Sequence, residues 1–335
     1  MALQNSLSSL LCSHRPLRTV LIGTSLGDES DQVVRAGLGV ARAAGARVAL
    51  VHAASLEPLP IDIGTGPDLE REQIARCREE LSRQIERLGI QEPELAGSEV
   101  RVGAPYRILT EAAQRIGAGL IVVGATGSGP FAAELLGSTA DRVLRKALCP
   151  VLVVRDGFQV PPRRVLAPVD LSTLSGDAFR CGLHLLTQLA GSGEIKVQAV
   201  YALSFLDALA ARQRTGGMPI EEIERSAGEE LRRFILENRS EAPFEVKTAV
   251  LPGEARFEIL RELDEHPADL VILGTHGRGG LDRLVLGSVA STVARKAPCS
   301  VLVISPEAAL AEGIADAVIA GTEPAWHREP APAGR

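Results

Sequence analysis

The chain has 335 residues, of which 45% are hydrophobic, 23% charged and only 3% aromatic, and its formal net charge is −6. This length suits two domains of about 150 residues each, and the acidic balance excludes general nucleic-acid binding, which requires a basic surface. No apolar run reaches the roughly 18 residues of a membrane span. The five cysteines include no CxxC pair, so we expect reduced thiols and a cytoplasmic location.

Self-comparison indicates an internal duplication. Residues 124–153 align on residues 274–303 without a gap, and fifteen of the thirty positions are identical. Chance does not give such agreement, so the sequence predicts two copies of one domain. We expect the copies to span 17–155 and 163–305. The remaining parts are predicted to be a flexible tail over 1–16, a linker over 156–162 and a largely disordered tail over 306–335.

Strands and helices alternate in both copies. The first copy predicts strands over 18–24, 47–54, 99–102, 120–124 and 150–154, and helices over 28–45, 68–88, 106–117 and 139–148. The second predicts strands over 164–170, 195–203, 244–250, 269–274 and 300–304, and helices over 177–191, 220–239, 255–265 and 289–297. The helix that starts at "GDES" is expected to have a side-chain cap. Polar stretches over 55–66 and 204–218 are either flaps near a ligand or plain connections.

Near-continuous apolar strands that alternate with helices indicate a parallel sheet covered on both faces. The predicted fold class is therefore α/β. We expect two similar domains, each an open five-stranded parallel sheet sandwiched by helices, in the Rossmann-like arrangement of nucleotide-binding proteins.

A glycine-rich loop follows the fourth strand of each copy, with the spacing Gly, two residues, Gly, nine residues, Gly-Ser. The spaced residues are Gly274, Gly277, Gly287 and Ser288 in the second copy and Gly124, Gly127, Gly137 and Ser138 in the first. Ligands of open α/β sheets bind beyond the carboxyl ends of the strands. Small residues there let backbone N–H groups close around a phosphate at a helix N-terminus. We expect a phosphate loop whose serine caps the next helix; the alternative is a turn without a ligand.

The two loops differ in their other residues. The second copy has His276, Arg278 and Gly279, where the first has Thr126, Ser128 and Gly129. Arg278 adds a cation to the predicted phosphate site. His276 either favours a bound anion when it is protonated or is an ordinary solvated loop residue.

The "VDLS" segment after the first strand of the second copy, the glycine loop and "ARKAPCSVLVI" together resemble the universal stress protein family. The resemblance covers both copies and is to the tandem, two-domain branch. It implies that, as in ATP-binding members, an aspartate after strand one and the backbone at the end of strand two hold adenine and ribose. These positions are Asp170 and Ala202 in the second copy and Ser25 and Ala53 in the first. The glycine loop and its serine are implied to hold the phosphates.

The resemblance also implies that the terminal strands of the two domains pair antiparallel within the chain, because each is otherwise an uncovered edge. Such a chain mimics a dimer, and two chains can associate further as a homodimer. The first copy departs from the family pattern because Ser25 lacks the charge and the second oxygen of a carboxylate. We therefore expect the second copy to bind ATP, with or without Mg²⁺, and the first to bind weakly or with another base preference.

Other candidate residues favour structural roles. His52 and Tyr201 hold equivalent places in the second strands, and packing is favoured over catalysis because no partner recurs at a usable spacing. Cys149 and Cys299 are interpreted as small buried residues, with redox sensing as the alternative. The pairs Arg145-Lys146 and Arg295-Lys296 are expected to complement helix C-termini.

The sequence thus favours an adenine-nucleotide-binding regulatory protein that responds to stress through its conformation or its partner contacts. One alternative is an enzyme, either a slow ATPase or a member of the related AMP-forming ligase and pyrophosphatase group. No paired carboxylates, Lys-Ser motif or metal cluster supplies an obvious base, however, and no metal site is expected from the protein alone. Another is a scaffold that has lost its ligand, which the intact loops disfavour. No nucleic-acid or membrane partner is expected.

Overall fold

The computed structural model describes residues 16–54, 67–125, 136–191, 193–239, 242–275, 286–306 and 308. The first copy contains strands β1 Thr19–Thr24, β2 Arg47–Ala54, β3 Leu95–Val102, β4 Leu120–Gly124 and β5 Val151–Val154. Its helices are α1 Asp28–Ala44, α2 Pro67–Arg87, α3 Pro105–Ile116 and α4 Ser138–Lys146, and a short 3-10 helix covers Glu92–Glu94.

Among the described residues, the second copy repeats this order of strands and helices. Its strands are β6 Arg164–Val169, β7 Lys196–Leu203, β8 Val246–Pro252, β9 Leu270–Gly274 and β10 Ser300–Ile304. Its helices are α5 Thr173–Leu189, α6 Phe205–Arg214, α7 Ile220–Asn238, α8 Ala255–Glu265 and α9 Ser288–Lys296. Helix α6 lies in the stretch over 204–218 for which the sequence left open a flap or a plain connection; the equivalent stretch of the first copy, 55–66, lies outside the described residues.

All ten strands form one sheet in the order β3-β2-β1-β4-β5-β10-β9-β6-β7-β8. The strands within each copy are parallel, whereas β5 and β10 pair antiparallel, with Leu302 opposite Leu152. The predicted α/β class and the pairing of the terminal strands are therefore confirmed. Because the two copies run in opposite directions, the carboxyl ends of their strands lie on opposite rims of the sheet.

Helices cover both faces of the sheet and enclose two apolar cores. One core receives side chains from α1, α2, α5 and α7, and the other receives them from α3, α4, α8 and α9. Two glycines let α1 and α5 approach the strands closely. A Cβ at Gly37 would lie 2.6 Å from Ile22 Cδ1, and one at Gly182 would lie 2.4 Å from Ile272 Cγ2. No helix in the described part of the chain is both long and apolar enough to cross a bilayer.

Polar contacts join the two copies where β5 meets β10. Arg155 follows β5, and its Nη2 donates to the carbonyls of Ala294 and Arg295 at 3.0 and 2.9 Å, which caps the C-terminal end of α9. Arg295 also reaches back to Asp141 of the first copy, with Nη2 3.4 Å from Oδ1. The basic pairs lie in the last turns of α4 and α9, as predicted.

Two local predictions about the first copy are corrected. Helix α1 begins at Asp28, but its N-cap is Gly27 and no side chain caps it; instead Ser30 Oγ donates to the Gly27 carbonyl at 2.7 Å. Strand β3 starts at Leu95, four residues before the predicted start. The segment over 95–98 contains a glycine and little apolar alternation, and its pairing with β2 shifts register between Val48 and Ala49.

Candidate functional site

The candidate residues of the second copy lie on either side of a crevice between β6 and β9. These two strands are neighbours in the sheet, yet the helices that follow them pack on opposite faces. Such a switch in topology leaves a crevice outside the carboxyl ends of the strands, where open α/β sheets bind ligands. Asp170 directly follows β6, and Thr275 directly follows β9. The structure therefore brings the predicted aspartate and the base of the glycine loop to one crevice.

A turn built by its neighbours holds the Asp170 carboxylate in place. Oδ1 accepts hydrogen bonds from Ser172 N at 3.0 Å and from Ser172 Oγ at 2.6 Å. Ser172 is itself the N-cap of α5, since its Oγ accepts from Ser175 N. The Asp170 amide donates to Ser175 Oγ at 3.2 Å. The carboxylate therefore stands, with its orientation fixed, at the mouth of the crevice and beside a helix N-terminus.

An unusual backbone conformation recurs next to this position. Leu171 has a φ of 63° and Leu26, its counterpart in the first copy, has a φ of 69°; among the described residues these are the non-glycine positions with positive φ. The left-handed region costs an ordinary side chain about 1–2 kcal/mol. Strained backbone of this kind clusters at functional sites. Its presence in both copies marks the turn after the first strand as a feature of the domain.

The two segments that flank each glycine loop are joined by a backbone hydrogen bond. Gly287 N donates to the Thr275 carbonyl at 2.8 Å, and Gly137 N donates to the Ala125 carbonyl at 2.7 Å. A Cβ at Gly287 would lie 2.9 Å from the Thr275 oxygen, so this glycine is required for the close approach of the two chain segments.

The predicted serine caps are wrong. Gly137 and Gly287 are the N-caps of α4 and α9, and Ser138 and Ser288 are the first helical residues. The first intrahelical bond of α9 runs from Ser291 N to the Gly287 carbonyl. The amides of residues 288–290 therefore have no acceptor within the helix. They lie at the N-terminus of α9, which is the positive end of the helix dipole and is next to the crevice.

Part of each predicted phosphate loop lies outside the described residues. These positions are Gly277, His276, Arg278 and Gly279 in the second copy and Gly127, Ser128 and Gly129 in the first. Gly274 and Gly124 end strands β9 and β4, so both loops start at the carboxyl rim of their domain.

The second strands carry the other predicted ligand positions to the same rims. Ala202 and Ala53 are the next-to-last residues of β7 and β2, and both are half-buried. Before them stand Tyr201, which is buried, and His52, whose Nδ1 lies 2.9 Å from the carbonyl oxygen of Thr24. Both side chains pack at the rim, in agreement with the structural interpretation.

The crevice of the first copy has a different polar arrangement. Ser25 follows β1 and is exposed, while the side chain of the preceding residue, Thr24, turns inward. Thr24 Oγ1 accepts from Leu26 N at 3.1 Å and bonds to Ser30 Oγ and to Gln84 Oε1, each at 2.9 Å. In this copy a hydroxyl, one position earlier than the counterpart of Asp170, makes a turn bond to the amide two residues ahead, as the Asp170 carboxylate does in the second copy.

Gln84 is the centre of this network and has no exposed surface. Its Nε2 donates to Ser30 Oγ at 3.0 Å and to Asp31 Oδ1 at 2.8 Å. Asp31 in turn accepts two hydrogen bonds from Arg87, which lower the pKa of its carboxyl below the ordinary value. Sequence reasoning missed this cluster. A signal was present, because a glutamine stands at an apolar position of helix α2, between Leu81 and Leu88.

The remaining candidates lie away from the two crevices. Burial raises the pKa of the Cys299 thiol to about 11, so it is a neutral packing residue at ordinary pH, as the structural interpretation expected. Within the described ranges, Glu262, Glu265 and His266 lie close enough together to share a cation. They stand at the end of α8, on the rim opposite to the second copy's crevice.

Comparison with known proteins is consistent with this geometry. The universal stress protein family model matches residues 16–155 and again residues 162–305. A universal stress protein of Mycolicibacterium smegmatis is 28% identical over 305 residues, which cover 86% of this chain and 97% of that protein. One from Mycobacterium bovis is 26% identical over 291 residues, or 85% of this chain and 96% of the relative.

Solved structures agree on the fold. A universal stress protein from Archaeoglobus fulgidus superposes with a TM-score of 0.56 at 24% identity and covers 85% of this chain and 95% of its own. A functionally unknown protein from Pseudomonas aeruginosa gives a TM-score of 0.60 at 18% identity, covering 93% and 99%. Because the family model matches most of the chain in two separate segments, the chain belongs to the universal stress protein family and carries the family's domain in tandem.

Proposed function

We propose that the second copy binds ATP, or a closely related adenine nucleotide, in the crevice between β6 and β9. Binding would bias the conformation of the chain or its contacts with partners during stress. The observation that carries this proposal is the convergence of an oriented carboxylate, Asp170, with the N-terminal amides of α9 at one topological switch point. An anion and a hydroxyl-bearing sugar are the ligands that this pair suits.

In this proposal, different residues bind the phosphates, the ribose and the base of the nucleotide. The amides of residues 288–290 and the glycine loop receive the phosphates, since they supply donors and the positive end of a helix dipole. The Asp170 carboxylate accepts from ribose hydroxyls, and the backbone at Ala202 meets the base. Where Mg²⁺ accompanies the nucleotide, phosphate oxygens and water would hold it.

The first copy is proposed to bind nucleotide more weakly. Ser25 offers a single hydroxyl where Asp170 offers a carboxylate, and a hydrogen bond to a charged group is worth about 1.5–3 kcal/mol. Loss of one such bond corresponds to roughly a tenfold to 150-fold difference in affinity. The full chain is therefore expected to show one tight nucleotide site and one weak site.

Titration of the full chain with ATP, by calorimetry, tests the proposal. Asp170→Asn keeps an oxygen that can accept from Ser172, so the turn survives while the charge is lost. We expect this variant to lose at least tenfold in affinity at the tight site. Ser25→Ala is the matched control and should leave the tight site unchanged. Unaltered tight binding in Asp170→Asn would contradict the proposal, as would a wild-type chain that does not bind ATP.

A further inference from the structure

The first half of helix α6 exposes large apolar side chains, whereas its last turn is polar. Phe205 and Leu206 are 71% and 70% exposed, and Leu209 is exposed as well. The helix is attached through Ala208 and Ala211, which are partly buried against the core, and none of its residues is fully buried. Large apolar side chains are stabilised by leaving water, so a helix that turns three of them outward is suited to receive something apolar.

The position of α6 is fixed relative to the crevice of the second copy. Strand β7 ends at Leu203, and Ser204 is the N-cap of α6, with its Oγ accepting from Asp207 N at 3.1 Å. Helix α6 therefore starts at Phe205, three residues after Ala202, on the rim that bears Asp170. Leu174 and Ile220, at the beginnings of α5 and α7, are also exposed near this rim.

The order of the strands shows which part of a nucleotide would meet α6. Across the rim the sequence is β9, β6, β7. In the proposed function the phosphates lie beyond β9 and the ribose lies beyond β6. The next position along the same line is the end of β7, where α6 begins, and there the base must lie.

We infer that Phe205 and Leu206 cover the base of the nucleotide bound to the second copy and make this site selective for a large aromatic ring. The inference rests on the proposed function and adds two specificity residues to it. A purine offers two flat apolar faces, and aromatic side chains stack on bases with an energy that alanine substitution removes.

The test compares a double variant of the full chain with a control variant. Phe205→Ala with Leu206→Ala removes the surface, while Leu236→Ala removes an exposed leucine in the last turn of α7, at the opposite rim. Calorimetric titration with ATP should show about a tenfold or larger loss of affinity in the first variant and none in the second. Titration with inorganic tripolyphosphate, which has no base, should be the same for wild type and both variants.

The outcomes separate the inference from the proposed function. If wild type binds ATP in an Asp170-dependent manner, but the Phe205/Leu206 variant binds it equally well, the inference alone fails. It also fails if ATP and tripolyphosphate lose affinity in equal measure, because α6 would then act on the phosphates. If wild type binds no ATP, the proposed function fails and the inference fails with it.

Proteolysis gives a second readout that does not depend on affinity. Arg212 and Arg214 lie in the last turn of α6, so trypsin reports on access to this helix. Saturating ATP should slow cleavage at these two sites at least fivefold in wild type and much less in the Phe205/Leu206 variant. Cleavage after Arg163, an exposed residue at the start of the second copy, should not change. Equal cleavage of α6 with and without bound ATP would overturn the inference.

Discussion

Replacement of Gln84 by leucine should selectively destabilise the first copy. The side chain is fully buried and makes three hydrogen bonds, to Thr24, Ser30 and Asp31. Each buried hydrogen bond contributes about 1 kcal/mol net, so the loss amounts to roughly 3 kcal/mol. Thr24 and Ser30 still bond to each other at 2.9 Å, which limits the penalty for unsatisfied groups. The added apolar surface of leucine returns about 1 kcal/mol. We therefore expect a net cost of about 2 kcal/mol.

Hydrogen exchange measured by mass spectrometry resolves this effect by copy. Amides of β1 and β2 should exchange about thirtyfold faster in Gln84→Leu, since 1.36 kcal/mol corresponds to a factor of ten. Amides of β6 and β7 serve as the internal reference and should change less. Arg83→Leu is the matched control, because this neighbour on the same helix is exposed, and it should alter stability by less than about 0.5 kcal/mol.

A double-mutant comparison of Thr24 and Gln84 tests whether their hydrogen bond stabilises the domain. Thr24→Val should cost less in the Gln84→Leu background than in wild type, with an interaction energy of at least about 0.5 kcal/mol. If Gln84→Leu exchanges like wild type, or if the two changes add independently, the buried network does not stabilise the domain as argued.

Two further predictions concern glycines and an ion pair. Gly182→Ala should destabilise the chain by about 1–2 kcal/mol in urea unfolding, because a Cβ would lie 2.4 Å from Ile272 and overpacking outweighs the gain in helix propensity. At Gly228 in α7 a Cβ would make only ordinary van der Waals contacts, 3.7 Å from Arg232 Nη1 and 3.8 Å from Val250 Cγ2, so Gly228→Ala should instead stabilise by about 0.5–1 kcal/mol; an equal effect at both sites would contradict the packing argument. Hydrogen bonds from Arg42 lower the pKa of Glu94 to about 2. The contribution of the Glu94 carboxylate to the free energy of unfolding is therefore present above about pH 4.5 and is lost as pH falls towards 2. The stability difference between wild type and Glu94→Gln should shrink across that window, and a constant difference would refute the assignment.

The regular elements were predictable because their sequence signals are local. The bounds of β2, β4 and β10 agree with the apolar runs that predicted them, and the uncovered terminal strands, together with the family resemblance, indicated the pairing of β5 with β10. Helix α6 escaped prediction for a physical reason. Its large apolar residues face outward and its buried side is made of alanines, so the usual amphipathic pattern is reversed.

The candidate site was predictable only in part. The place of Asp170 directly after β6 was implied by the family resemblance of the short "VDLS" segment, whereas the hydrogen bonds that orient its carboxylate were not. The network of the first copy could not be anticipated in the same way, because Thr24 and Gln84 are sixty residues apart and meet only when α2 packs on the sheet. Likewise, the need for a glycine at position 287 follows from its contact with Thr275, which the sequence alone does not reveal.

The antiparallel pairing of β5 with β10 places the two crevices on opposite rims of the sheet. Helix α9 nevertheless spans the distance as a rod of about 14 Å. Its N-cap, Gly287, lies beside the crevice of the second copy. Its last carbonyls accept hydrogen bonds from Arg155. The residue before Arg155 is Val154, whose carbonyl accepts from Ala125 N at the base of the first copy's loop. One helix therefore bonds to the base of a glycine loop at its start and to the other copy at its end.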